Sequence, residues 1–226
     1  MFGLRVDHKE IREIYELLLQ IFGRQNWWPA ESKFEIIAGA ILTQQTSWKN
    51  VEEAIRNLKK ADLLDPIKLS KTPLATLEKI VRPSGFYKQK ARRLKNFSKY
   101  LVQKHNGSLD QLFSGSTEKI GEELLELDGV GPETADSMLL YAGEKPVFVV
   151  DAYTIRFSNR FGLSDSGNYR TVQELFQGHL EDDPVLLKEY HALLVELCKR
   201  YCKTDPDCVE CPLNTSCAYG RSVLQS

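Results

Sequence analysis

Before Cys198 the 226-residue chain contains no cysteine, so no disulfide framework holds most of its length together. It has no apolar run near the ~20 residues of a membrane span, which leaves no membrane partner to expect. Its opening, MFGLRVDHKE, is polar and leads into a helical pattern, unlike a secretory leader. A cytoplasmic, intracellular protein is expected. Neither sign of charge dominates: the formal net charge of −1 gives no global signature of a polyanionic partner. Internal repeats and low-complexity linkers are absent, so no solenoid is expected and no domain boundary is announced by composition. What remains, with 42% hydrophobic and 27% charged residues, is a globular chain with room for one or two domains and a substantial core.

Charge is informative only in its distribution. From Lys79 to Leu109 there are nine basic residues (Lys79, Arg82, Lys88, Lys90, Arg92, Arg93, Lys95, Lys99, Lys104) and no acid. Such a run reads as a solvated helix face or, without acids at i±4, as a surface for an anionic partner. The hydrophobic period is helical almost throughout. Ile11 to Phe22 form one face ending at Gly23, Phe34 to Leu42 another, and Val51 to Leu58 a third. Thr72 and Pro73 read as the N-cap and first turn of a short helix. Leu94, Phe97 and Leu101 give the basic helix an inner face, and Ile120 to Leu127, Ile155 to Phe161, Val172 to Leu180 and Leu186 to Cys202 follow. VFVV at 147–150 has the look of a buried strand, but one strand without a partner makes no sheet, so it reads as an extended apolar connection. The fold class is all-α.

The chain turns on residues 124–157, LLELDGVGPETADSMLLYAGEKPVFVVDAYTIRF. Gly129, Val130 and Gly131 lie between two helical faces, Leu124, Leu127 and Val130 before and Ala135, Met138, Leu139 and Ala142 after. Glycine at both positions permits positive φ and close approach of another backbone, so the turn reads as a phosphate cradle or as a tight αα connection. Asp151 follows an apolar wall at a helix start, where it serves as a cap or as a catalytic carboxylate. Trp27 and Trp28 beside Pro29 read first as core residues at a helix entry, and TQQTSW with Trp48 close behind reads equally as a polar interhelix connection or as a loop that pushes a side chain into DNA. Near the end Cys202, Cys208, Cys211 and Cys217 form Cys-x5-Cys-x2-Cys-x5-Cys, a density that points to metal rather than disulfides. Spacing alone allows structural zinc or an iron–sulfur cluster.

LDGVGPETAD followed by VDAYTIRF resembles the helix-hairpin-helix motif and catalytic-aspartate segment of the endonuclease III superfamily of DNA glycosylases. The resemblance implies two helical domains: a six-helix barrel with the hairpin over 25–140, and a second domain from 1–24 and 141–226 that carries the cysteine loop at about 202–217. DNA would lie in the groove between them, with the hairpin and aspartate at its mouth. It further implies that Gly129, Val130, Gly131, Glu133 and Thr134 grip the phosphate backbone of damaged double-stranded DNA, that Asp151 assists cleavage of the N-glycosidic bond, and that the protein acts as a monomer. Bifunctional relatives carry a lysine nucleophile two residues after the second hairpin glycine, where this chain has Glu133. A carboxylate forms no Schiff base, so a monofunctional glycosylase is expected. The cysteine array is similar to the family's [4Fe–4S] array but one residue shorter in the first gap, which implies ligation by Cys202, Cys208, Cys211 and Cys217 with Cys198 a buried thiol.

WWPAESKFEIIAGAILTQQTSWKNVEEAIRNL and VRPSGFYKQKARRL look like the bacterial 3-methyladenine DNA glycosylase branch, and with the hairpin segment the similarity spans residues 26–157. That implies a base pocket of Trp28, Pro29 and Trp48, and Gln44 or Gln45 filling the vacated stack. The expected activity is hydrolytic removal of a flipped alkylated purine such as 3-methyladenine. The alternatives are removal of another damaged or mispaired base, or a non-catalytic iron–sulfur protein that binds distorted duplex.

Overall fold

The computed structural model describes residues 8–225. Among them there is no strand, and the chain divides into two units. One comprises the described residues up to Trp27 and from Pro146 onward; the other is Trp28–Lys145. The first begins with α1 (His8–Phe22), which buries Ile11, Ile14 and Leu18.

The middle unit contains α2 (Lys33–Leu42), α3 (Trp48–Lys60), α4 (Pro66–Lys71), α5 (Leu74–Ile80), α6 (Tyr87–His105), α7 (Leu109–Leu112), α8 (Thr117–Leu125) and α9 (Pro132–Ser137). Helix α2 is its centre: Phe34, Ile37, Ala38, Ala40, Ile41 and Leu42 are all buried. Its start is capped by Ser32, whose Oγ accepts from Glu35 N at 3.2 Å, and the buried Glu35 carboxylate is paired with Lys59 at 2.9 Å. Asp65, Ser108 and Ser116 cap α4, α7 and α8 in the same way, each worth about 1 kcal/mol. The Thr72 expectation is corrected. Its hydroxyl donates back to Lys68 O at 2.8 Å because it ends α4, a six-residue helix the apolar period did not reveal. Helix α9 runs on as a π-turn over Met138–Ala142, closed by Gly143 N to Met138 O at 3.0 Å.

The basic run is also corrected in part. Lys90 is only 1% exposed, and its Nζ donates to Leu42 O at 2.9 Å and to Ser84 O at 2.5 Å. Lys95 donates to Thr72 O and Arg93 to the Gln44 side chain. These three brace the unit from α6 rather than present charge to solvent.

The other unit continues with α10 (Ala152–Phe161), α11 (Tyr169–Gln177), α12 (Pro184–Arg200) and α13 (Ala218–Leu224). Val147–Val150 is buried and belongs to no helix or strand, an apolar connection as read from the sequence. A buried backbone outside helix and strand needs other partners. It takes them from α11: Gln173 Nε2 donates to Phe148 O at 2.8 Å, and Val150 N donates to Tyr169 Oη at 3.4 Å. Phe148 stacks on Phe176 at 4.4 Å between centroids, which seats the segment that ends at Asp151.

Candidate functional site

Asp151 is the N-cap of α10, and its Oδ1 accepts from Thr154 N at 2.8 Å and Thr154 Oγ1 at 3.0 Å. The capping role therefore uses one oxygen and leaves the other turned elsewhere. Oδ2 faces His191 Nε2 at 3.6 Å, from a buried position on α12. Burial pushes the Asp151 carboxyl up, but His191 and the two Thr154 donors more than offset it and hold it below the usual carboxylate range. His191 in turn meets the edge of Trp27, with ring centroids 6.1 Å apart. Sequence reasoning missed His191, because nothing in its local spacing on an apolar helix marks it out.

In the middle unit the hairpin turn is closed by Val130 N to Leu127 O at 3.0 Å and Ala135 N to Gly131 O at 2.9 Å. Only Gly129 uses the left-handed freedom expected of both glycines, at φ 77°. A β-carbon there would also overlap the Arg93 guanidinium. Gly131 is extended at φ −93° and ψ 178°, and a β-carbon on it would meet nothing within 4 Å. Its open side is the outer face of the turn, beside the exposed Glu133. Thr134 is buried, and its Oγ1 accepts from Gln44 Nε2 at 3.0 Å; the same nitrogen donates to Gly129 O at 3.0 Å. The two glutamines thus part company. Gln44 is tied to the hairpin, whereas Gln45 is exposed and left-handed at φ 53°.

Trp28 and Trp48 meet edge to face with centroids 5.3 Å apart, and Tyr141 of the π-turn meets Trp28 at the same distance. Trp28 also lies against Gly39 of α2, where any β-carbon would come within 2.9 Å of its ring. Trp28, Pro29 and Trp48 line an open cavity of about 250 Å³ together with Glu35, Glu52 and Arg56. The Trp48 indole is fixed by its Nε1 donating to Glu52 Oε1 at 3.0 Å. Trp28, Pro29 and Trp48 thus line one cavity, with Glu52 on its wall and Tyr141 packed against Trp28.

A model of the HhH-GPD superfamily of base excision DNA repair proteins matches residues 38–181, which contain Trp48, the hairpin and Asp151. The chain belongs to the HhH-GPD superfamily. It is a base-excision-repair DNA glycosylase, an enzyme that hydrolyses the bond between a base and its sugar in DNA. A protein of Methanocaldococcus jannaschii, named as a candidate DNA repair glycosylase, is 46% identical over 92% of this chain and 95% of its own length. Endonuclease III of Thermotoga maritima is 32% identical over 83% of this chain and 84% of its own. Among solved structures, a 3-methyladenine DNA glycosylase of H. pylori bound to 1,N6-ethenoadenine superposes with a TM-score of 0.75 at 31% identity, covering 86% of this chain and 98% of that one.

At the carboxy-terminal end of this HhH-GPD chain, Cys202, Cys208, Cys211 and Cys217 line one cavity with Arg160, Tyr201 and Tyr219; Cys198 is not on its wall. Arg160 reaches Cys202 Sγ at 3.5 Å and the carbonyls of Lys203 and Thr204, pinning the start of the loop. Cys198 is buried, donates to Tyr153 O at 3.6 Å, and its thiol is held up while that of Cys202 is lowered, each through the other. Among the described residues no three His, Cys, Asp or Glu side chains stand at the spacing of a single metal ion.

Proposed function

We propose that this glycosylase is monofunctional and removes alkylated purines such as 3-methyladenine, leaving an abasic site. The observation that carries the reading is the cavity lined by the edge-to-face pair Trp28 and Trp48 with the Glu52 carboxylate on its wall. Alkylation at N3 places a positive charge on adenine and weakens its glycosidic bond. Such a base needs extrusion and recognition more than activation, and aromatic faces with a nearby carboxylate favour a cationic π-system. The likeness to the H. pylori 3-methyladenine glycosylase supports the same substrate class.

In this reading the outer face of the hairpin grips the phosphate backbone, and Gly131 lets that backbone approach. Gln45 fills the gap left by the flipped nucleotide, since the amide of Gln44 is already committed. Asp151, kept ionised by its neighbours, stabilises the positive charge that develops on the sugar and takes a proton from the attacking water. Glu133 supplies no amine at the position where bifunctional relatives carry lysine. Lys90 supplies none either, being buried with its Nζ on two carbonyls.

We also propose a [4Fe–4S] cluster on Cys202, Cys208, Cys211 and Cys217. The cavity that the four thiols share suits it. When bound, it would cross-link the carboxy-terminal loop and take no part in hydrolysis. The test is to incubate the protein with methylated duplex DNA and measure free bases, with strand breaks before and after alkali. The expected result is 3-methyladenine release, breaks only after alkali, and no adduct on borohydride treatment. A trapped adduct would refute the monofunctional reading; no release of 3-methyladenine from DNA that is still bound would refute the substrate.

A further inference from the structure

Resting on the reading of the hairpin as the DNA grip and of Gln45 as the stack filler, we infer that Gln44 is a positioning residue that couples the two. Its amide is the link through which a gripped backbone and a filled stack become one event. Both of its N–H donors are used on the hairpin, on Gly129 O before the turn and Thr134 Oγ1 after it, each at 3.0 Å. Its Oε1 accepts from Arg93, whose guanidinium occupies the space a Gly129 side chain would need. One amide thus touches both arms of the hairpin and the basic residue packed beneath it.

The neighbouring residue shows what this does to the loop. Gln45 holds φ 53°, a left-handed conformation that a non-glycine residue keeps only when its surroundings fix it. They do so on both sides. Lys90 clamps Leu42 O at 2.9 Å, Gln44 is held by the hairpin, and after Gln45 the Thr46 Oγ1 accepts from Asn50 Nδ2 at 3.1 Å. The backbone is therefore pinned before and after a single exposed side chain. Any displacement of Gly129 or Thr134 by a phosphate passes through the Gln44 amide to the residue next to it, and by linkage a seated Gln45 strengthens the grip.

The test is independent of which base the enzyme removes. Affinity is measured for a duplex with a tetrahydrofuran abasic analogue, whose gap a wedge can fill, against the same duplex undamaged. The proteins are the wild type, Gln44→Met, Gln45→Ala and the double variant, each checked by melting temperature. Gln44→Met keeps the length of the side chain and removes all three bonds. The wild type is expected to prefer the gapped duplex, and each single variant to lose about tenfold of that preference. The double variant should lose no more than either single one, as coupling requires. A Gln44→Met protein with undiminished preference, or losses that multiply in the double variant, would overturn the coupling while leaving the hairpin and wedge in place. Should the wild type bind both duplexes alike, the wedge reading falls and the coupling with it.

Discussion

His191 Nε2 stands 3.6 Å from Asp151 Oδ2, so two residues forty positions apart share one buried contact at the head of α10. That contact acts on the side of the carboxylate not used by the helix cap. Burial works to protonate Asp151, and His191 with Thr154 keeps it charged. A group of lowered pKa is ionised, and adds its stability, above its unfolded value; both are lost as pH falls through the folded one.

Replacing His191 by phenylalanine, which keeps an aromatic ring against Trp27, should raise the Asp151 pKa. The acid limb of the single-turnover rate profile then moves to higher pH, by about one unit for a tenfold loss of rate on that limb. The rate on the alkaline plateau should change little. A limb that stays where it is would remove His191 from the catalytic account.

The hairpin glycines should separate folding from binding. Gly129→Ala meets both a left-handed backbone and the Arg93 guanidinium, so a loss of at least ~1 kcal/mol is expected in denaturant unfolding. Gly131→Ala adds a methyl group to open space at an extended φ. It should leave the unfolding midpoint unchanged and still weaken duplex binding severalfold in a fluorescence titration.

Lys90 gives a stability signature in alkali. Burial lowers its pKa to about 8, below the ordinary lysine value. The unfolded chain therefore binds more protons than the folded one between those two values, and stability rises with pH across that window and is flat for this group below it. The neutral amine still has two N–H donors for Leu42 O and Ser84 O. Urea unfolding at stepped pH should show this rise in the wild type and lose that component in Lys90→Met. The variant also leaves two carbonyls without their donor, at a cost of about 1–3 kcal/mol at neutral pH.

Cluster ligation is testable one cysteine at a time. Cys202→Ala should abolish bound iron and sulfide, whereas Cys198→Ala should retain both at wild-type stoichiometry. Removing iron from the wild type should lower the melting temperature without producing borohydride trapping. Iron retained by Cys202→Ala and lost by Cys198→Ala would exchange their roles.

Features set by near neighbours were legible in the sequence. The hairpin with its flanking helices, the cap at Asp151 and the buried VFVV connection all depend on residues within a few turns of one another, and the structure has each of them. The short α4 and α7 escaped because six and four residues are too few to show a period. Lys90 misled for another reason: a charged residue in a basic run looks solvated until the carbonyls of Leu42 and Ser84 are brought to it. The same holds for His191, and for the Gln44 amide that reaches across 85 residues to Gly129. Local pattern carries no record of such meetings.

The buried Val147–Val150 run has a consequence outside catalysis. In the folded protein Phe148 O and Val150 N are bonded to Gln173 and Tyr169 and all four side chains are buried, so the run is withdrawn from pairing between molecules. Unfolded, it is a short, uncharged, β-prone segment of the kind that seeds aggregates, guarded by the charges of Lys145 on one side and Asp151 on the other. The carboxylate assigned to chemistry is thus also a gatekeeper of solubility. An Asp151→Asn protein should clump on heating at temperatures from which the wild type still refolds, whatever its activity.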